Sequence, residues 1–129
     1  MSWDEEQKEI EAAFKESWDK MDGFFSGATL YSGFEYMKYM LILIRLLRER
    51  GFSRQLRAGQ SGFTLMLSRS YEHGLRPEQP FLTFTVFKQG SMIVTFEAQN
   101  IFVRFFVAHV ELTPEIENLL IPLLVYPID

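Results

Sequence analysis

Two histidines, His73 and His109, are the chain's only imidazoles, and each has a carboxylate beside it. His109 and Glu111 are two residues apart in a stretch that reads as strand, so their side chains would point the same way. Such a pair can ligate a metal or work as a base and its orienter. A metal site needs a third and fourth ligand, and no spacing in the chain supplies them. Tyr71-Glu72-His73 sits in a loop-like stretch with Ser68 and Ser70 nearby, where a histidine next to a glutamate could do acid–base work at neutral pH. No nucleophile motif accompanies it. Gly59-Gln60-Ser61-Gly62 lacks the Gly-Lys-Ser/Thr ending that brings a lysine and a hydroxyl to a phosphate, and reads as a turn. With no cysteine, thiolate chemistry, disulfides and cysteine-based zinc sites are excluded. The expectation is therefore no catalytic residue, no metal and no cofactor.

Charge is distributed unevenly. The net charge is −4, yet residues 1–22 alone carry eight acids against three lysines. Of these acids Glu5, Glu9, Glu16 and Asp19 lie off the apolar stripe of that segment and can form one negative face. Arg45, Arg48, Arg50, Arg54 and Arg57 follow, with Glu49 the single acid among them. Asymmetry of this kind either steers a partner or pairs two elements of the same chain. The arginines cluster at a helix end and the loop after it in an acidic protein, which argues against nucleic acid.

These groups must be carried by a scaffold, and the scaffold is apolar. Hydrophobic residues make up 47% of the 129 and charged residues 23%, the balance of one globular domain spanning 1–129. From Pro80 to Leu112 lie seven of thirteen phenylalanines, interleaved with Val, Ile, Thr, Leu and Met. This is strand composition, split at Gln89-Gly90 and read as three antiparallel strands. Phe63, Leu65 and Leu67 alternate with Thr64, Met66 and Ser68 and add a fourth. A two-residue turn at Gln89-Gly90 would set Phe87 opposite Met92, Thr85 opposite Val94 and Thr83 opposite Phe96. On the last strand Phe102, Arg104, Phe106 and Val110 would share a face. Aromatics around an arginine have the composition of an interface hot spot.

Ahead of the strands, Ile10, Phe14, Trp18, Met21 and Phe25 recur at helical spacing behind a capping box at Ser2–Glu5, predicting a helix over residues 3–22. Ser32–Glu35 repeats the capping pattern and opens a second, very apolar helix that stops at Gly51. Thr113-Pro114-Glu115 starts a short third helix that Pro122 cuts or kinks, with a short edge strand possible after it. Phe52–Gly62 reads as a polar connection, and Tyr71–Gln79 as the loop best placed for recognition. The predicted fold is α+β: two N-terminal helices packed on a four-stranded antiparallel sheet, with a short C-terminal helix. The acidic N-terminus has no secretory h-region, and the longest apolar run falls well short of the roughly 20 residues of a membrane span. No membrane contact is expected, and a cytoplasmic setting is the default.

In size, charge, order of elements and the acidic helix at Asp4–Asp22, the chain resembles the small, acidic, cysteine-free α+β immunity proteins that accompany bacterial secreted toxins. That resemblance implies a monomer or homodimer without catalytic residues, which binds one cognate toxin domain and blocks its active site. Glu5, Glu9, Glu16, Asp19, Tyr71, Glu72, His73 and Arg104 are the residues expected to meet such a protein partner. At the same coarse level the chain is similar to dimeric secretion-effector chaperones, which hold an extended client on apolar sheet surface. A third reading is a small-ligand site or enzyme pocket between the second helix and the sheet, lined by Tyr36, Tyr39, Phe63 and Phe84.

Overall fold

The computed structural model describes residues 3–71 and 79–128. The capping serine Ser2 and the pair Glu72 and His73 lie outside the described residues. The architecture is α+β. Helix α1 (Trp3–Ala28) and helix α2 (Lys38–Glu49) precede the antiparallel meander β1 (Arg57–Ser61), β2 (Thr64–Ser68), β3 (Phe81–Val86), β4 (Met92–Ala98) and β5 (Ile101–Val107), and α3 (Pro114–Leu124) closes the chain.

Among the described residues the sheet therefore has five strands, not the expected four. The additional strand, β1, lies inside the segment expected to be a polar connection. Only one of its five residues is apolar. That residue, Ala58, faces Leu67 across the ladder and is buried, whereas Gln60 and Ser61 are exposed. A polar edge strand held by its backbone carries no hydrophobic alternation to read.

Helix α1 continues six residues past its expected end at Asp22. Gly23 and Gly27 each cost about 1 kcal/mol against alanine in a helix, but the apolar stripe runs on through them. Phe14, Trp18, Phe25 and Ala28 are all buried. Ahead of α2, Glu35 reaches back to the N–H of Gly33 (3.0 Å), not to that of Ser32. The chain consequently enters through a tight turn at Glu35–Met37 before α2 begins at Lys38. Gly51, at φ 85°, ends the helix as expected. Met40, Leu43, Ile44 and Leu47 are its buried stripe, while Ile42 remains 43% exposed, so one flank of α2 meets water.

The β3–β4 register differs by one residue from the expected pairing. Val86 faces Met92, Phe84 faces Val94 and Leu82 faces Phe96. The loop holds three residues, Lys88–Gly90, closed by Phe87 N–H to the Ser91 carbonyl (2.8 Å) and Gly90 N–H to the Phe87 carbonyl (3.0 Å). This is the hairpin in which a type I turn is followed by a left-handed glycine, here at φ 89°. The one-residue change separates the faces. Row by row, Ala58, Leu67, Leu82, Phe96 and Val103 line the inner side, as do Leu65, Phe84, Val94 and Phe105. Buried residues of α1, α2 and α3 join them in one core. The outer side carries Thr64, Thr83, Thr85 and Thr95, with Ile93, Phe102, Arg104 and Phe106 toward β5.

At the C-terminal end, Thr113 Oγ1 accepts the Ile116 N–H (3.3 Å) and Ile116, Leu120 and Leu123 enter the core. Helix α3 continues through Pro122 to Leu124. No strand follows among the described residues. The tail is instead held by Arg69, whose Nε donates to the Tyr126 carbonyl (3.0 Å) and Nη1 to the Gln55 carbonyl (2.8 Å). Among the described residues no helix is long and apolar enough to cross a membrane.

Candidate functional site

Helix α1 places Glu5, Glu9, Glu16 and Asp19 within about 80° of arc at 100° per residue, directly opposite the buried stripe of Phe14, Trp18 and Phe25. All four are exposed. They differ in how far the fold already engages them. Asp19 accepts from Arg48 on α2 (2.8 Å) and from Lys15 (3.1 Å). The Arg48 guanidinium, then Lys15, hold its carboxyl below the ordinary aspartate range. Arg48 also reaches Asp22 (3.2 Å), so part of the arginine run pairs with the acidic helix. Glu16 lies near Lys20 (3.7 Å), and Glu9 makes no ion pair among the described residues.

Glu16 and Tyr71 come together. Both line a groove of about 330 Å³ between α1 and β1, with Lys20, Met21, Arg57 and Gly59. Arg57 donates to the Tyr71 carbonyl (3.1 Å) and ties Tyr71 to this side. Gln79 is buried, and its side-chain amide has no partner among the described residues.

Arg104 is elsewhere. It lies on the outer face of β5, four strand spacings or about 19 Å from β1. Its Nε donates to Thr95 Oγ1 (3.2 Å) and its guanidinium sits 5.2 Å from the centroid of the Phe102 ring. Phe102 is 56% and Phe106 65% exposed, so no helix among the described residues covers them. Val110, expected on this face, lies beyond the end of the strand and packs against the core. His109 and Glu111 also follow the strand, in an exposed bend, so strand alternation does not aim them together. Among the described residues no three metal-ligating side chains cluster.

No protein-family model, curated protein or solved structure matches the chain. The functional argument therefore rests on this molecule's own surfaces.

One such surface was not legible beforehand. Phe24, Tyr31, Phe34 and Phe63 line an apolar groove of about 660 Å³ at the C-terminal end of α1, floored by Gly23 and Gly27. The rings of Phe34 and Phe63 lie 4.8 Å apart. Had the helix been continued past Asp22, Gly23 and Gly27 would have fallen one turn apart on one face. Phe84, expected in a pocket with Phe63, is fully buried in the core, and Tyr39 packs over Gly90.

Proposed function

We propose that the chain is a non-enzymatic protein-binding module that docks a basic surface of another protein on the acidic face of α1, in the manner of an immunity protein blocking a toxin's active site. The observation that carries this reading is the position of Glu5, Glu9 and Glu16. They stand exposed on the side of α1 turned away from the core, where an incoming surface can reach them. Tyr71, beside Glu16 in the α1–β1 groove, adds an amphipathic ring of the type enriched at interface hot spots. Charge complementarity of this kind raises the association rate and makes it sensitive to salt.

The test mixes the purified protein with the product of the neighbouring gene and measures binding by calorimetry. A one-to-one complex is expected. The triple variant Glu5→Lys, Glu9→Lys, Glu16→Lys should remain folded by circular dichroism, at some cost in stability from the helix dipole and the lost Glu16–Lys20 pair, and weaken the complex at least tenfold. Absence of a complex, or equal binding by the triple variant, removes the proposal.

A second reading, a dimeric secretion-effector chaperone, is favoured by one observation, the uncovered Phe102 and Phe106. It requires an extended client segment on the outer sheet face, and a peptide array of such segments separates it from the first reading.

A further inference from the structure

The two edges of the sheet are treated differently. At β1 the outward N–H of Ala58 is taken by Ser17 Oγ of α1 (3.0 Å), so that edge is occupied. At β5 no strand follows in the sheet order among the described residues, and Ile101, Phe102, Val103 and Phe106 are 36–65% exposed. The devices that normally blunt such an edge are proline, lysine, a bulge or a covering helix. β5 has the sequence IFVRFFV, pairs with β4 without interruption, and carries one charge, Arg104.

Backbone direction follows from the hairpin. The two-residue loop Gln99-Asn100, with Asn100 at φ 67°, is flanked by Ala98 and Ile101, which face each other. Pairs flanking a two-residue loop exchange both hydrogen bonds, and the bonding then alternates along the strand. Ile101, Val103, Phe105 and Val107 therefore bond to β4. The N–H and C=O groups of Phe102, Arg104 and Phe106 point away from the sheet.

We propose that β5 pairs antiparallel with β5 of a second copy of this chain, in the register that sets Val103 against the partner's Val103 and joins two five-stranded sheets into one. Three features select a second copy in this register. First, the inner faces match. Ile101 meets the partner's Phe105, and Val103 meets its own equivalent, so the most exposed apolar residues of the inner face are the ones covered. Second, charge disfavours one of the two neighbouring registers. Moving the two-fold to Arg104 would set like charges directly opposite each other, which is destabilising. Third, charge favours this one. On the outer face Arg104 meets the ring of the partner's Phe102, and the partner's Glu97 stands in the same cross-strand row, since Glu97 pairs with Phe102. Neither Arg104 nor Glu97 has an ionic partner among the described residues.

The interface lies at the opposite edge of the sheet from the α1–β1 groove, so it stands independently of the proposed protein partner. The chain's lack of cysteine makes the test clean. Val103→Cys sits at the two-fold in a non-hydrogen-bonded pair, where Cα atoms about 4.5 Å apart suit a disulfide. Mild oxidation should give a covalent dimer in high yield, and Phe105→Cys should not. Sedimentation of the unmodified protein should show a concentration-dependent dimer that Val103→Lys converts to monomer with its circular dichroism unchanged. Amide exchange at Phe102 and Arg104 should slow as concentration rises. A monomer at every concentration, or a dimer that crosslinks through residue 105 and not 103, overturns the proposal. Loss of dimer in Val103→Lys with the acidic-face complex intact keeps the two readings apart.

Discussion

The hydroxyl of Ser17 and the backbone N–H of Ala58 form the bond that ties α1 to the first edge of the sheet. Ser17 Oγ accepts that N–H at 3.0 Å while donating to the Phe14 carbonyl. One residue on, the buried Trp18 Nε1 donates to the Leu56 carbonyl at 2.8 Å. Two consecutive side chains of one helix thus satisfy the backbone of the chain as it enters β1. The strand has almost no hydrophobic content of its own, so these bonds and the β2 ladder are what hold it.

Ser17→Ala should accordingly cost more than an ordinary surface substitution. It leaves the Ala58 N–H without a partner beneath α1, a loss of about 1–3 kcal/mol. Urea unfolding should show a lower midpoint at unchanged slope, and amide exchange at Ala58 should accelerate more than at residues of β3. An unchanged midpoint would mean that water replaces the hydroxyl.

Glycine substitutions should change sign with position. A Cβ at Gly90 would lie 3.0 Å from Cε1 of Tyr39, and φ is 89°, so Gly90→Ala strains the backbone and pushes the ring. A destabilisation of about 1–3 kcal/mol is expected. At Gly23 nothing lies within 4 Å and the residue is inside α1. Gly23→Ala should therefore stabilise, by about 0.5–1 kcal/mol. Thermal melts of the two variants beside the parent check both signs.

These positions also explain what could be read from the amino-acid order and what could not. Long periodic segments were legible: the stripe through Phe14 and Trp18, the cap at Thr113, the alternation at Leu65 and Leu67. The β3–β4 register was not, because Gln89-Gly90 suits a two-residue and a three-residue loop alike. Only the packing of Phe84 and Val86 into the core decides between them. β1 was hidden because an edge strand capped by a serine needs no apolar pattern. Of the candidate site, the acidic face of α1 followed directly from helical spacing. The tie between Asp19 and the second helix did not, since Arg48 meets Asp19 only once α2 is laid across α1. The distance between Arg104 and the acidic face likewise depended on the strand order.

The Arg48–Asp19 contact makes a prediction about pH. The Asp19 carboxyl is held below the ordinary aspartate range in the folded protein, first by Arg48 and then by Lys15. A folded pKa below the unfolded one stabilises the fold above the unfolded value and loses that contribution as pH falls through the folded value. Asp19→Asn should therefore be less stable than the parent near neutral pH, with the difference constant down to about pH 5 and closing below about pH 4. Both partners are partly exposed and Arg48 keeps Asp22, so the difference should be modest and shrink in high salt. Paired urea titrations across this range measure it. A difference that persists unchanged into acid would show that the asparagine disturbs packing between α1 and α2 and that the ion pair contributes nothing.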